Sequence, residues 1–172
     1  MGELWRERLS TDDLTARIEQ IHTPYHTVLA EELRRCQEMW GAVLLLDLHS
    51  MPPVAHPQGG EAVRYVVGDR FGAAANNNLG FKACDILSGS SYSVALNRPY
   101  AGGYVLDRHA DRRRNVNALQ IEICRSLYLD TSFTELVPRY RTVISKLAEL
   151  VETLGSITGR MGDATPAAIA AE

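Results

Sequence analysis

The chain lacks most of the features that would take it out of the ordinary soluble class. It has only three cysteines, Cys36, Cys84 and Cys124, an odd number at wide spacing in partly apolar segments. Such usage argues against a disulfide framework or a zinc knuckle and for reduced, buried thiols. No apolar run approaches the roughly 20 residues needed to span a bilayer, so no membrane partner is expected. The N-terminus, Met-Gly-Glu-Leu-Trp-Arg-Glu-Arg, has no apolar stretch followed by small residues, and it is not expected to act as a secretory signal. The expected compartment is the cytoplasm. An excess of positive charge is missing too. A formal net charge of −3 and a pI near 6.0 give no general attraction to phosphate backbones, which excludes nucleic acid as a partner. Arg108, Arg112, Arg113 and Arg114 make one local basic cluster. There is no internal repeat. What is present is an average globular composition, 45% hydrophobic and 23% charged over 172 residues, enough for one core. We expect a single domain over residues 1–158 and a flexible tail over 159–172, where Ala and Gly leave little to bury.

Periodicity supplies the elements. Ser10 followed by Asp13 resembles a capping box, and Leu14, Ile18, Ile21, Tyr25, Val28, Leu29 and Leu33 then recur at helical spacing. Pro24 should kink this helix around Thr23, and Gly41 should end it. Ala42 to His49 is too short and too continuously apolar for a helix and reads as a central strand buried on both faces. Further strands are expected over 64–69, 92–96 and 116–124, and a helix over 77–87. Residues 50–62 and 99–104 read as loops. Ser132 and Glu135 form a second capping box, predicted to open a last helix that ends near Gly155. Strands alternating with helices imply a layered α/β/α domain around a mixed, mostly parallel sheet, with ligands beyond the C-terminal strand ends.

The unusual residues lie at those ends. In Asp47-Leu48-His49-Ser50, alternation puts Asp47 and His49 on one side of the strand, as a metal ligand and its orienting acid would require. A histidine hydrogen-bonded at a loop start is the plain alternative, but an Asp in an apolar strand is costly to bury without a task. Gln120 and Glu122 likewise share a face. On an edge strand Glu122 would simply meet water. On an inner strand its carboxylate needs a metal, a cation or a substrate proton, and it would suit a general base. Asn97-Arg98-Pro99-Tyr100 with Gly102-Gly103-Tyr104 combines cation, hydroxyl and backbone donors suited to a small anion. Arg70 adds a second arginine, or only a surface pair with Asp69. His22 and His26 have the spacing of a helical zinc pair but lack the Glu after the first His, and Pro24 distorts their face. His56 and His109 read as solvated loop residues.

Taken together, Pro24-Tyr25-His26, Asp47-Leu48-His49-Ser50, Val67 to Gly72, Asn97 to Tyr104 and Leu119-Gln120-Ile121-Glu122-Ile123 resemble the N-formylglutamate amidohydrolase family in order and spacing over residues 5–155. The resemblance implies a zinc-carboxypeptidase-like fold and hydrolysis of an N-formyl or related N-acyl amino acid, a small anionic partner. It implies that His49 is a zinc ligand, Asp47 its supporting acid and Glu122 the general base. Arg70, Asn97, Arg98, Tyr100, Gly102, Gly103 and Tyr104 would bind the substrate. A Pro-His-Ser-Gly-like segment and an acidic residue supply the family's first two zinc ligands, and nothing before His22 matches them. Zn2+ is therefore expected to bind weakly or not at all, and Met1 to be an internal start, a fragment boundary or the remnant of a degraded gene. Asn117 stands where the family favours a histidine. The rival expectations are a non-catalytic domain binding a small anion or a partner protein, and a zinc peptidase or deacylase of other specificity. Loss of an upstream strand would expose apolar surface, which a second copy of the chain would cover.

Overall fold

The computed structural model describes residues 8–55, 62–89 and 92–163. The chain divides into two compact units, Met1–Arg35 and Cys36–Glu172. In the first, Ser10 caps α1 (Thr11–Arg17): its hydroxyl accepts from the Asp13 N–H at 3.0 Å and donates to the Asp13 carboxylate at 2.7 Å. The shorter acid thus meets the capping hydroxyl itself. A π-helical turn, Ile18–His22, leads into α2 (Thr23–Trp40). Pro24 gives the reason, because its ring crowds the carbonyl one turn back. Widening the turn, so that the Thr23 N–H reaches the Ile18 carbonyl, accommodates it. The expected kink is therefore a π turn. The apolar stripe has its helical spacing, yet Leu14, Ile18, Ile21, Tyr25 and Val28 are 45% to 66% exposed and only Leu33 of the stripe is buried.

The second unit takes in the last residues of α2, Cys36 to Trp40. Gly41, at φ +72°, takes the left-handed conformation and donates to the Gln37 carbonyl at 2.8 Å. There follow β1 (Val43–Met51), β2 (Tyr65–Gly68), α3 (Asn77–Ser88), β3 (Val94–Leu96), α4 (Tyr104–His109), β4 (Val116–Cys124) and α5 (Tyr140–Asp163). The strands form one sheet in the order β1-β4-β2-β3, with β1 and β4 parallel, β2 and β3 parallel, and β2 antiparallel to β4. This is the mixed, mostly parallel α/β sheet expected. The position of β1 is corrected: among the described residues it is an edge strand, largely half-buried, while β4 is inner and buried along its whole length. A continuous apolar run reports covered faces, not paired edges.

Leu44 and Leu46 of β1 and Leu119 and Ile121 of β4 join the main core with Leu150 and Leu154 of α5. Alternation turns Leu45 and Ala118 to the other face, where they pack with Leu106 of α4. That second face also carries Asp47, His49, Gln120 and Glu122. The three thiols are free, and burial, with the nearby Asp69 charge, pushes Cys84 up to about 11, as suits an inert thiol.

Two helix boundaries differ from expectation. The Ser132 box opens no helix: the Asp130 carboxylate accepts from the N–H groups of Thr134 and Glu135 and from the Ser132 hydroxyl, closing a turn. Pro138 keeps the preceding residue out of helical conformation, and α5 begins only at Tyr140. It then runs past Gly155 to Asp163, so residues 159–163 belong to the helix rather than a tail. Residues 164–172 and His56 lie outside the described residues.

Candidate active site

Parallel register pairs Asp47 with Gln120 and His49 with Glu122 across β1 and β4. Since the side-chain period of a strand is two, these four groups form a square on one face of the sheet. The inner position of β4 decides the case of Glu122: it is only 6% exposed, as is Gln120. Burial raises the Glu122 carboxyl above its ordinary value, the Asp47 charge adds to this, and His49 and a hydrogen bond from Gln120 partly offset it. His49 Nε2 lies 3.1 Å from Asp47 Oδ2, with the imidazole half-exposed. β1 runs two residues beyond His49, which stands within the strand rather than at its end.

Gln120 Nε2 donates to Glu122 Oε1 at 3.0 Å, and Gln120 Oε1 accepts from the Gly103 N–H at 3.1 Å. The loop before α4 is thereby held to the sheet beside the carboxylate. It sits close because Gly68, paired with Gln120 in register, has no side chain: a Cβ there would meet Gly102 N at 2.6 Å and the Ala101 carbonyl carbon at 2.7 Å.

The remaining sequence candidates fall into two groups. Asn97 is buried at φ +60° and wholly engaged in the scaffold. Its Oδ1 accepts from the N–H groups of Asp69 at 3.0 Å and Phe71 at 3.3 Å, and its Nδ2 donates to Asp69 Oδ1 at 2.7 Å. Asp69 Oδ1 also accepts from the Gly72 N–H, so this pair fixes the turn that carries Arg70. Arg70 is not paired with Asp69. Its N–H donates to the Ala101 carbonyl, its Nε to Asp107 Oδ1 at 2.6 Å and an Nη to the Gly102 carbonyl at 3.3 Å. Arg98, by contrast, is exposed, and no ion pair engages it among the described residues. Tyr100 packs against the core. Gly102 has φ +100°, Gly103 caps α4, and the exposed Tyr104 opens it, its hydroxyl accepting from Arg108 at 2.7 Å.

His22 and His26 pack edge-to-face, ring centroids 4.5 Å apart, within the first unit. His109, expected to be solvated, is buried at the end of α4. Asn117 is also scaffold: its Oδ1 accepts from the Asn76 N–H that precedes α3, and its Nδ2 donates to the Asn115 carbonyl. The residues to which sequence reasoning gave no place in the site are Asp69, Asp107 and Gln120. The signal was there for Gln120, a polar side chain between apolar neighbours on the same face as Glu122.

Among the described residues no three His, Cys, Asp or Glu side chains converge as a cation site. Catalytic zinc takes three protein ligands, and the residues described do not make up that set. No helix among them is long and apolar enough to cross a membrane.

Comparison with known proteins agrees with the geometry. The family model described as N-formylglutamate amidohydrolase matches residues 1–129. An N-formylglutamate deformylase of Pseudomonas aeruginosa is 28% identical over 155 residues, 85% of this chain and 58% of that protein. Another from Pseudomonas putida is 30% identical over 131 residues, 74% of this chain and 49% of that protein. The crystal structure of an N-formylglutamate amidohydrolase from Ralstonia eutropha superposes with a TM-score of 0.79 at 28% identity, covering 91% of this chain and 59% of that one. An Agrobacterium tumefaciens protein shares the fold at a TM-score of 0.64 and 22% identity, over 87% of this chain and 56% of its own. The chain thus spans about half to three-fifths of the length of these relatives. With its sheet, its paired Asp-x-His and Gln-x-Glu strands and these matches, the chain belongs to the N-formylglutamate amidohydrolase family.

Proposed function

We propose that this chain carries the base-bearing part of an amidohydrolase site acting on N-formyl-L-glutamate or a closely related N-acyl amino acid. The observation that supports it is Glu122: a carboxylate on an inner strand, buried beside His49 and Asp47, with a raised proton affinity. A base held in that state takes a proton from water more readily than an ordinary glutamate. In the reaction, Glu122 accepts one proton of a water molecule as its oxygen bonds to the formyl carbon. The C–N bond then breaks, and the same proton passes to the departing nitrogen, leaving glutamate and formate. Arg98 is the better candidate for a substrate carboxylate, because Arg70 is already committed to Asp107 and the Gly102 carbonyl. Tyr100, Gly102, Gly103 and Tyr104 shape the approach, and Asn97 supports it from beneath. Zinc belongs to this proposal as the family's metal, with His49 as the ligand this chain offers and Asp47 behind it. No step is assigned to it, since the described residues do not complete its ligand set.

That same shortfall favours a second reading, a domain that binds the small anion without turning it over. One experiment separates the two. The purified chain, supplied with zinc, is titrated with N-formyl-L-glutamate by calorimetry while formate release is followed. Binding that weakens in Arg98→Ala, with turnover cut about 100-fold or more in Glu122→Gln, supports the amidohydrolase site. Binding without formate supports the second reading. A ligand that neither binds nor is hydrolysed, or turnover indifferent to Glu122→Gln, overturns the proposal.

A further inference from the structure

We infer that Gln120 is a positioning residue that couples the Ala101–Gly103 loop to the Glu122 carboxylate. This rests on the reading of Glu122 as the base but stands on separate contacts. Gln120 is nearly inaccessible, and both ends of its amide are used. The Gly103 main chain offers only an N–H in this direction, so the atom facing it at 3.1 Å must be the acceptor, Oε1. The amide polarity then follows: Nε2 faces Glu122 and donates at 3.0 Å to Oε1 of the carboxylate. Glu122 Oε2 takes no hydrogen bond among the described residues and is the oxygen left to exchange a proton. The loop, through one amide, therefore decides which carboxylate oxygen is tied and which is available.

The neighbourhood makes that link selective. Gly68 lets the loop backbone lie directly over β2, at a distance that excludes even a methyl group. Arg70 holds the same loop through the Ala101 and Gly102 carbonyls. A loop fixed at two carbonyls by Arg70 and at one N–H by Gln120 cannot shift without pulling on Glu122. A glutamate at position 120 would offer Gly103 an acceptor but face Glu122 with a second acidic group, and a methionine would fill the space with neither bond.

The test uses the whole chain and two kinds of readout. Amide hydrogen exchange at Gly103 is compared in wild type, Gln120→Met and Glu122→Ala, with the Gln120 side-chain NH2 resonances recorded by 15N NMR. We expect Gly103 exchange to rise about tenfold or more in Gln120→Met, and to rise measurably in Glu122→Ala, where Gln120 loses its far anchor. The Gln120 NH2 resonances should move in Glu122→Gln. If Gly103 protection is lost in Gln120→Met but unchanged in Glu122→Ala, with the NH2 resonances unmoved, Gln120 is only a loop clamp and the inference is wrong. In formate release, Gln120→Met should lower kcat about tenfold or more while KM changes less, and Gln120→Glu should not rescue it. Turnover that survives Glu122→Gln would defeat the catalytic reading of Glu122, and the exchange data would still judge the coupling.

Discussion

Gly68→Ala puts the attachment of the loop to the sheet to a quantitative test. The new methyl would stand 2.6 Å from Gly102 N, and ordinary contact begins near 3.4 Å, so the loop must retreat by about 0.8 Å. The hydrogen bond from the Gly103 N–H to Gln120, now 3.1 Å, and that from the Arg70 N–H to Ala101, now 2.8 Å, would both stretch past the useful range. Overpacking costs about 1 to 3 kcal/mol, and each weakened hydrogen bond adds about 1 kcal/mol. The expected loss is therefore about 3 to 5 kcal/mol, a large share of the 5 to 15 kcal/mol typical of a domain. Urea unfolding should show a lower midpoint at unchanged slope, with Gly103 exchange accelerated in the surviving native state. A variant as stable as wild type, with Gly103 still protected, would refute the close packing of this loop on β2 and the structural basis given for the Gln120 contact.

Three other outcomes follow from the same structure. Gly155 is helical in α5 with nothing within 4 Å of a new Cβ, so Gly155→Ala should raise stability by about 0.5 to 1 kcal/mol in the same urea assay; a lower midpoint would show that the site is not open. Glu122, facing His49 and Asp47, has a folded-state proton affinity above the ordinary value of 4.5, so its ionisation costs the fold nothing below that pH and progressively more as pH rises through the folded value. Metal-free Glu122→Gln should accordingly gain stability over wild type at neutral pH, and the gain should vanish in acid; a constant difference across pH would contradict the assignment. Finally, since no three His, Cys, Asp or Glu side chains converge as a cation site among the described residues, metal analysis should find less than one equivalent of zinc on the isolated chain, whereas stoichiometric zinc lost in His49→Ala would show that the ligand set is complete.

How much of this was legible in the sequence depended on whether the information was local. The strands, α3 and the Ser10 cap were readable because alternation, helical spacing and a side-chain cap are written within a few residues. The shared face of Asp47 and His49, and of Gln120 and Glu122, was readable for the same reason. Their assembly into one square was not, because it is set by the parallel register of strands about 70 residues apart in the chain, which no local pattern encodes. The edge position of β1 was hidden likewise. The end of α5 was missed for a different reason: its buried row continues through Thr158 and Gly162, small residues that an apolar count ignores. Gly162 is small by necessity, since a Cβ there would lie 1.8 Å from the Trp40 carbonyl oxygen. The start of α5 was legible but misread, because Pro138 outweighs a capping box placed before it. Gln120 joins the two kinds of information. Its face was local and visible, but its task depends on Gly103 arriving from another part of the chain, and only Gly68, a glycine ending a strand, hinted that another backbone would come so close.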